Sequence, residues 1–395
     1  MFGKIFLLIY VIIQICISLI TEYTVRHNGI FSKIGEKTRI FRVIIYVILA
    51  LVPVLGAFLP KSDFKFYCME FGNIWLGFFM FYSAIVLFLT LILYIVYRIR
   101  KVKNDKLIGH ALNFAFVIAI SVTIYGLIHA QNPILVNYDI EIKNESAGGK
   151  DMKIVLLGDL HLSVNSDIKA TEKMVEKVNS CDADLIVIAG DIFTSNYDGL
   201  KHPEKYSAAL RRMKSKYGVY VVCGNHDVEE NLFSGFAISP KSEAFRTPDM
   251  EKFFDDSGFN VLYDENVEVA DGLITLSGRV DGEKSGDGIN ERLDPAELLK
   301  DVDKSKPVIV LEHEPVEFEE LSQSGADLVL CGHTHNGQIF PGNLVVPFFN
   351  ENGYGVKELY GIQTVVTAGV GYYGPPIRVG TDSEVTLINL SFVKE

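Results

Sequence analysis

Cysteine is scarce in this 395-residue chain, and its five thiols form no paired spacing, which excludes a disulfide framework as the organising device. Cys16 and Cys68 fall in apolar stretches. Cys181, Cys223 and Cys331 fall in the polar half, where Cys223 and Cys331 each end an apolar run just before a glycine and read as inert core thiols rather than metal ligands. Positive charge is scarce where a polyanion would need it. Residues 139–395 carry 24 Lys/Arg against 44 Asp/Glu, a net of −20, with no basic stripe interleaved with aromatics, so nucleic acid is excluded as a large ligand. Internal repeats are also absent.

The first 138 residues invert that balance, with 13 Lys/Arg against 5 Asp/Glu. Four apolar stretches, 5–20, 40–59, 74–97 and 107–129, approach the ~20 residues that a helix needs to cross the hydrocarbon layer. Residues 1–130 are therefore expected to be an all-α membrane anchor of about four spans. The first stretch has only Lys4 ahead of it and no small-residue cleavage site behind it, so it is read as a retained span and not a signal peptide. Arg26, Lys33, Lys37, Arg39 and Arg42 follow span one, and Arg98, Arg100, Lys101, Lys103 and Lys106 follow span three. By the positive-inside rule these two loops stay cytoplasmic, and an even span count exports both termini. A multi-pass protein of the cell membrane with an extracytoplasmic second half is the expectation. His110 and His129 lie near the ends of span four, and no buried charge marks a transport path, so the spans read as an anchor.

Residues 131–150 read as a linker and 151–395 as a globular domain. From Lys153 onward, short Val/Ile/Leu-rich runs alternate with amphipathic segments, the pattern of an α/β domain. Strands are predicted at Lys153–Leu157, Leu185–Ala189, Val219–Cys223, Leu273–Ser277, Val308–Glu312, Asp327–Leu330, Gln363–Ala368 and Val385–Asn389. Several are continuously apolar, as in sheets covered on both faces. Helices are predicted at Ile168–Val178, Glu204–Lys216, Pro248–Asp255, Pro295–Leu299 and Val316–Gln323.

Polar motifs punctuate the strand ends: Gly158-Asp159-Leu160-His161, Gly190-Asp191, Gly224-Asn225-His226-Asp227, Glu312-His313 and Gly332-His333-Thr334-His335. They hold five of the nine histidines. Strand tips of open α/β sheets converge, so these side chains are expected in one site. The motif glycines are expected to turn the backbone as each strand ends. Asp159 and His161, like His333 and His335, are two residues apart, and in an extended segment would point the same way and chelate together. With Asp191 as a carboxylate able to bridge, the donors are oxygen and nitrogen without thiolate, a set suited to Mn, Fe or Zn more than Ca.

These motifs in this order resemble the calcineurin-like metallophosphoesterase superfamily over about residues 150–395. Gly332-His333-Thr334-His335-Asn336-Gly337-Gln338 and Tyr373-Gly374-Pro375-Pro376-Ile377-Arg378 are similar to its YkuE-like branch of membrane-anchored bacterial phosphohydrolases. The resemblance implies a four-layer α-β-β-α sandwich and two metal ions, one held by Asp159, His161, Asp191 and His335, the other by Asp191, Asn225, His313 and His333. It also implies that His226 faces the substrate, with Asp227 orienting it. Two departures stand out. Asn336 replaces the first of two glycines usual after the second histidine, which touches substrate contacts and not ligation. Ile192-Phe193-Thr194 replaces the Asp-Arg-Gly signature of protein Ser/Thr phosphatases, which disfavours a phosphoprotein substrate.

Two divalent cations contribute +4 against −3 from Asp159, Asp191 and a bridging hydroxide, which leaves about +1 to receive an anionic phosphate. Surface carboxylates beyond roughly 8 Å are screened. The expected reaction is hydrolysis of a phosphodiester or phosphomonoester, with His226 protonating the leaving group. Arg279, Arg292 and Arg378 could grip phosphate, though surface ion pairing is the simpler reading. Segments 231–247 and 338–360, with Phe233, Phe236, Phe340, Phe348, Phe349 and Tyr354, shape the substrate groove, most of their rings being expected to pack over the core. Anchorage beside a bilayer suggests a lipid-linked or nucleotide-linked phosphate ester. A non-catalytic membrane receptor or scaffold on the same fold is the rival.

Overall fold

A computed structural model describes residues 10–20, 22, 38–101, 105–195, 197–233, 235–237, 245–286 and 292–394. Two compact units emerge. The first contains residues up to Leu127 together with Leu232–Ile238 and Gly374–Pro376; the second contains the rest.

In the first unit, α1 (Tyr10–Ile20) is short, and among the described residues three helices are long and apolar enough to cross a membrane: α2 (Arg39–Phe58), α3 (Asp63–Arg100) and the stretch Leu107–Ala130 of α4 (Asp105–Ala130). The expected count of about four spans is therefore met by three. Residues 5–9 of the expected first span lie outside the described residues, and the eleven residues of α1 fall short of the required length. Most apolar side chains of the three helices face outward, Leu87 and Ile99 among them. A helix apolar on every side and unburied by protein has lipid as its matching solvent. Pro53 in α2 lies against Gly72 of α3, where a Cβ would come within 3.0 Å of the proline Cα.

The second unit is built on two six-stranded sheets. One has the order β1 (Ile134–Lys143), β14 (Glu384–Val393), β2 (Lys150–Leu157), β3 (Leu185–Ala189), β4 (Val219–Val222), β7 (Asn260–Val261). The other runs β12 (Gly355–Leu359), β13 (Ile362–Val366), β11 (Leu328–Cys331), β10 (Val308–Leu311), β9 (Ile274–Gly278), β8 (Glu265–Val269). Alternation along β2 shows why both faces are apolar. Ile154 and Leu156 enter the core between the sheets with Ile309, Leu330 and Ile388. Val155 and Leu157 enter the outer core against helices α5 (Ile168–Ser180), α6 (Pro203–Leu210) and α7 (Pro248–Ser257). On the far side, α8 (Pro295–Leu298) and α9 (Phe318–Gln323) cover Val308, Val310 and Val329. The result is α-β-β-α. Side-chain caps start the helices where sequence placed them: Asp167 accepts from the Lys169 N–H ahead of α5, and Thr247 accepts from the Met250 N–H ahead of α7.

The expected linker at 131–150 is a correction. Residues 134–143 form the ten-residue strand β1, parallel to β14 from Ile134↔Glu384 to Lys143↔Val393. Its signal was half-strength, because an edge strand buries only alternate residues: Ile140 and Ile142 are buried between exposed Asp139, Glu141 and Lys143. The helix expected over Glu204–Lys216 stops at Leu210. Strands β8 and β12 had no apolar run to show them, being antiparallel edges with a single buried residue each.

Candidate functional site

Each motif follows a parallel strand of the paired sheets, so the strands deliver Asp159, Asp191, Asn225, His313, His333 and His335 to one end of the sandwich. The backbone that aims the Asp159/His161 and His333/His335 pairs is not extended, which corrects the expected reason for their convergence. Asp159, His161, Asp191, His333 and His335 all lie in the left-handed region, with φ between 46° and 74°. Both pairs therefore converge through left-handed turns beyond the strand tips and not through strand alternation. Asp and His adopt that region more readily than most residues, and the strain is of the kind stored at functional sites. Among the motif glycines only Gly190 has positive φ. At Gly224 the requirement is space, since a Cβ there would lie 2.3 Å from Asp191 Oδ1.

Donor atoms crowd together. His161 Nε2 is 2.9 Å from His335 Nε2 and 3.4 Å from Asp191 Oδ2. His313 Nε2 is 3.3 Å from the same Asp191 oxygen, 3.1 Å from Asn225 Oδ1 and 3.2 Å from His333 Nδ1. His335 Nε2 is 3.3 Å from Asp159 Oδ1. Ligands about 2.0–2.2 Å from a cation, at tetrahedral or octahedral angles, sit about 2.9–3.5 Å apart. The residues present fit metal ions on that test. Two groups meet the requirement: Asp159, His161 and His335, and Asp159, Asp191 and His313. Asp191 Oδ2, near both His161 and His313, stands between them, as a bridging carboxylate would.

Burial sets the protonation. It pushes His161 and His333 down to about 4 and His335 well below the usual imidazole range, leaving neutral rings with lone pairs to offer. Burial also lifts Asp159 to about 7, although His313 opposes it. For His313 burial is outweighed by the Asp191, Asp159 and Asp281 carboxylates, which hold it well above its usual value; reciprocally, burial of Asp191 is outweighed by His313 and His226, which hold it low. A site of buried carboxylates that must charge a buried imidazole, His313, for balance is one in which cations satisfy the same need.

The remaining carboxylate oxygens are fixed from behind. The His226 N–H donates to Asp191 Oδ1 at 2.8 Å, and the His333 N–H donates to both Asp159 oxygens at 3.1 Å. The Asn225 amide N–H donates to Glu283 Oε2 at 2.8 Å, which turns its Oδ1 toward His313. Asp281, pushed up to about 7 by burial, faces the same imidazole. His226 stacks on Tyr373, ring centroids 4.3 Å apart, and burial lowers it to about 3.

Several expected roles need correction. Asp227 does not orient His226: its carboxylate accepts from the Phe193 and Gly224 N–H groups at 2.9 and 2.8 Å, bracing the loops that carry Asp191 and Asn225. The group at His226 Nδ1 is Ser195 Oγ, at 2.7 Å, which had no strand-end motif to reveal it. Arg378 neither grips phosphate nor pairs at the surface. It is fully buried and donates to the carbonyls of Ala368, Gly369, Gly371, His335 and Asp382. Arg279, also fully buried, binds Glu312 at 2.7 Å and Glu317 at 2.8 Å, while Arg292 binds Glu317 at 2.8 Å. This network sits behind His313 through its neighbour Glu312. Cys223 and Cys331 are free, buried, and raised by burial, as inert core thiols are.

The family model for calcineurin-like phosphoesterases matches residues 152–337. A Campylobacter jejuni protein described as an uncharacterized metallophosphoesterase is 31% identical over 296 residues, 73% of each chain. A Danio rerio transmembrane protein with a metallophosphoesterase domain is 30% identical over 295 residues, 70% of this chain and 62% of that one. The metallophosphoesterase YkuE of Bacillus subtilis is 25% identical over 254 residues, 62% of this chain and 80% of the relative. With the ordered motifs, the clustered donors and these relatives in agreement, the chain belongs to the calcineurin-like metallophosphoesterase family.

Proposed function

We propose that this protein is a membrane-anchored hydrolase of phosphoric esters, working on a dinuclear centre. The observation that carries the reading is the ring of donor atoms 2.9–3.4 Å apart around Asp191. Asp159, His161, Asp191 and His335 would hold one cation, and Asp191, Asn225, His313 and His333 the other. When bound, divalent cations lower the pKa of water and neutralise phosphate charge. The protein's own residues do the rest: backbone N–H groups lock the carboxylates, buried His161, His333 and His335 stay neutral as donors, and His226 stands ready at the leaving group. Burial, joined by the nearby Lys284 and His313, holds His226 neutral against the pull of Asp191, so the anionic substrate supplies the counter-charge that lets Nε2 carry a proton. Purified protein supplied with Mn, Fe or Zn should hydrolyse bis-4-nitrophenyl phosphate or its monoester analogue. A receptor or scaffold would hydrolyse neither. The same assay on intact cells, with a membrane-impermeant ester, reports whether the domain faces outward as the charge bias of the loops suggests; no signal outside would place it in the cytoplasm.

A lipid-linked phosphate is the substrate class we favour. Three membrane-length helices tether the domain to a bilayer, and a segment close after His335 is unusually apolar and exposed. Phe348 and Phe349 are 82% and 81% exposed, with Phe340 and Leu344 beside them in sequence and no charged residue from 336 to 350. These rings do not pack over the core as expected from sequence. Their base is rigid: Gln338 donates to the Tyr373 and Ile377 carbonyls and accepts from the Tyr373 N–H, and the Phe340 N–H donates to the Val379 carbonyl. Each exposed phenylalanine that enters lipid gains on the order of 2 kcal/mol. The double variant Phe348→Ser/Phe349→Ser should lose about 10-fold or more of its turnover of a vesicle-embedded phosphate ester while keeping its rate on a soluble one. Equal rates on both would discard the lipid assignment.

A further inference from the structure

We propose that Ser195, Glu230 and Lys284 form a buried relay that fixes the ring orientation and tautomer of His226, presenting Nε2 to the substrate; this rests on the hydrolytic reading above. None of the three belongs to the strand-end motifs, and none contributes to metal ligation. Ser195 is fully buried, Glu230 is 5% exposed and Lys284 is 6% exposed. An ion pair taken this far out of water is costly unless it serves a geometry that apolar side chains could not supply.

Ser195 is stapled to the segment that carries His226. Its N–H donates to the His226 carbonyl at 2.9 Å, and its carbonyl accepts from the Glu230 N–H at 2.7 Å. Its Oγ then lies 2.7 Å from His226 Nδ1 and 2.9 Å from Glu230 Oε2, and Lys284 Nζ lies 2.8 Å from that same oxygen. Direction along the chain follows from what each group can do. An ammonium only donates and a carboxylate only accepts, so the single hydroxyl proton of Ser195 goes to Glu230. Only lone pairs of Oγ remain for His226. Nδ1 must therefore carry its own proton and donate it, which leaves Nε2 as the ring atom open to substrate. Tyr373 closes the ring face, 4.3 Å away at 28°, and the backbone N–H of His226 is tied to Asp191. Neither ring flip nor tautomer exchange is free in that setting.

Ser195, Glu230 and Lys284 are thus positioning residues, acting through His226. Their removal should be felt by a leaving group that needs a proton and not by one that leaves unaided. In the full-length protein, Ser195→Ala should keep kcat for a 4-nitrophenyl ester within about 3-fold and lower kcat for an alkyl ester by about 10- to 100-fold. Alanine suits the left-handed backbone of Ser195, φ 46°, no worse than serine, whereas β-branched threonine would strain it. The apolar double variant Glu230→Leu/Lys284→Met, which leaves no unpaired charge, should repeat the selective loss. Glu230→Gln keeps an acceptor for the hydroxyl and should restore the alkyl ester rate. Nitrogen-15 resonances of labelled His226 give the readout that does not depend on turnover: Nδ1–H in the starting protein and in Glu230→Gln, mixed tautomers in Ser195→Ala. Equal losses on both esters, no loss on either, or an unchanged tautomer in Ser195→Ala would overturn the relay. If the starting protein hydrolyses no ester with metal supplied, the hydrolytic reading fails, and the tautomer measurement still decides the relay.

Discussion

Asp191→Asn should abolish turnover, by more than ~10³-fold, because the protein loses its metal. Asp191 Oδ2 lies 3.4 and 3.3 Å from the Nε2 atoms of His161 and His313, so one oxygen is within reach of a histidine from each proposed metal set, while Oδ1 is occupied by the His226 N–H. Asparagine preserves shape but removes a charge from a centre whose balance depends on it, and its amide N–H cannot stand in for a lone pair. Metal analysis of the purified variant should find well under one equivalent of the two expected. His226→Ala supplies the contrast. It should keep both equivalents and lose about 10²- to 10³-fold on an alkyl ester, with a much smaller loss on a 4-nitrophenyl ester whose leaving group needs no proton. Equal metal loss in the two variants would remove the distinction between ligand and acid.

The second large effect is expected at Arg378→Met. Arg378 spans five backbone carbonyls, those of Ala368, Gly369, Gly371, His335 and Asp382, at 2.6 to 3.3 Å. Burial depresses the guanidinium to about 10, against the pull of Asp159 and Glu384, so it stays charged at neutral pH. Methionine fills much of the volume and satisfies none of those acceptors, and each buried carbonyl left without a donor costs about 1–3 kcal/mol. Some will find water, so a net loss of about 3–5 kcal/mol is expected, or roughly 10 °C in Tm. Consequences reach the site directly. The Gly371 N–H donates to the Asp159 carbonyl at 2.7 Å, and a Cβ on Gly369 would sit 2.6 Å from that of Asp159, so the 368–371 strap is what Asp159 leans on. Metal content should fall with stability. Arg378→Lys, with three donors, should land between. A Tm within about 2 °C of the starting protein, with both metals retained, would show that the strap needs no guanidinium.

Sequence alone determined the α/β domain, because β3, β10, β11 and residues 154–157 of β2 are buried on both faces and therefore show as unbroken apolar runs. It also determined which residue types gather, since imidazoles and carboxylates after strand ends have no structural alternative that recurs motif after motif. Half-buried elements escaped it: β1 buries Ile140 and Ile142 fully and Tyr138 partly, and so short an alternation flanked by charge is weak against a linker. Partners escaped it too. Ser195 and Lys284 are 89 positions apart in sequence, and nothing local says that their side chains meet through Glu230. Only the tertiary structure decided that Asp227 braces loops instead of orienting His226, that Arg378 holds carbonyls instead of phosphate, and that Phe348 and Phe349 face outward. Chain chemistry fixes what a residue can donate or accept, but the partner is chosen by whichever distant group the folded backbone brings within three ångströms.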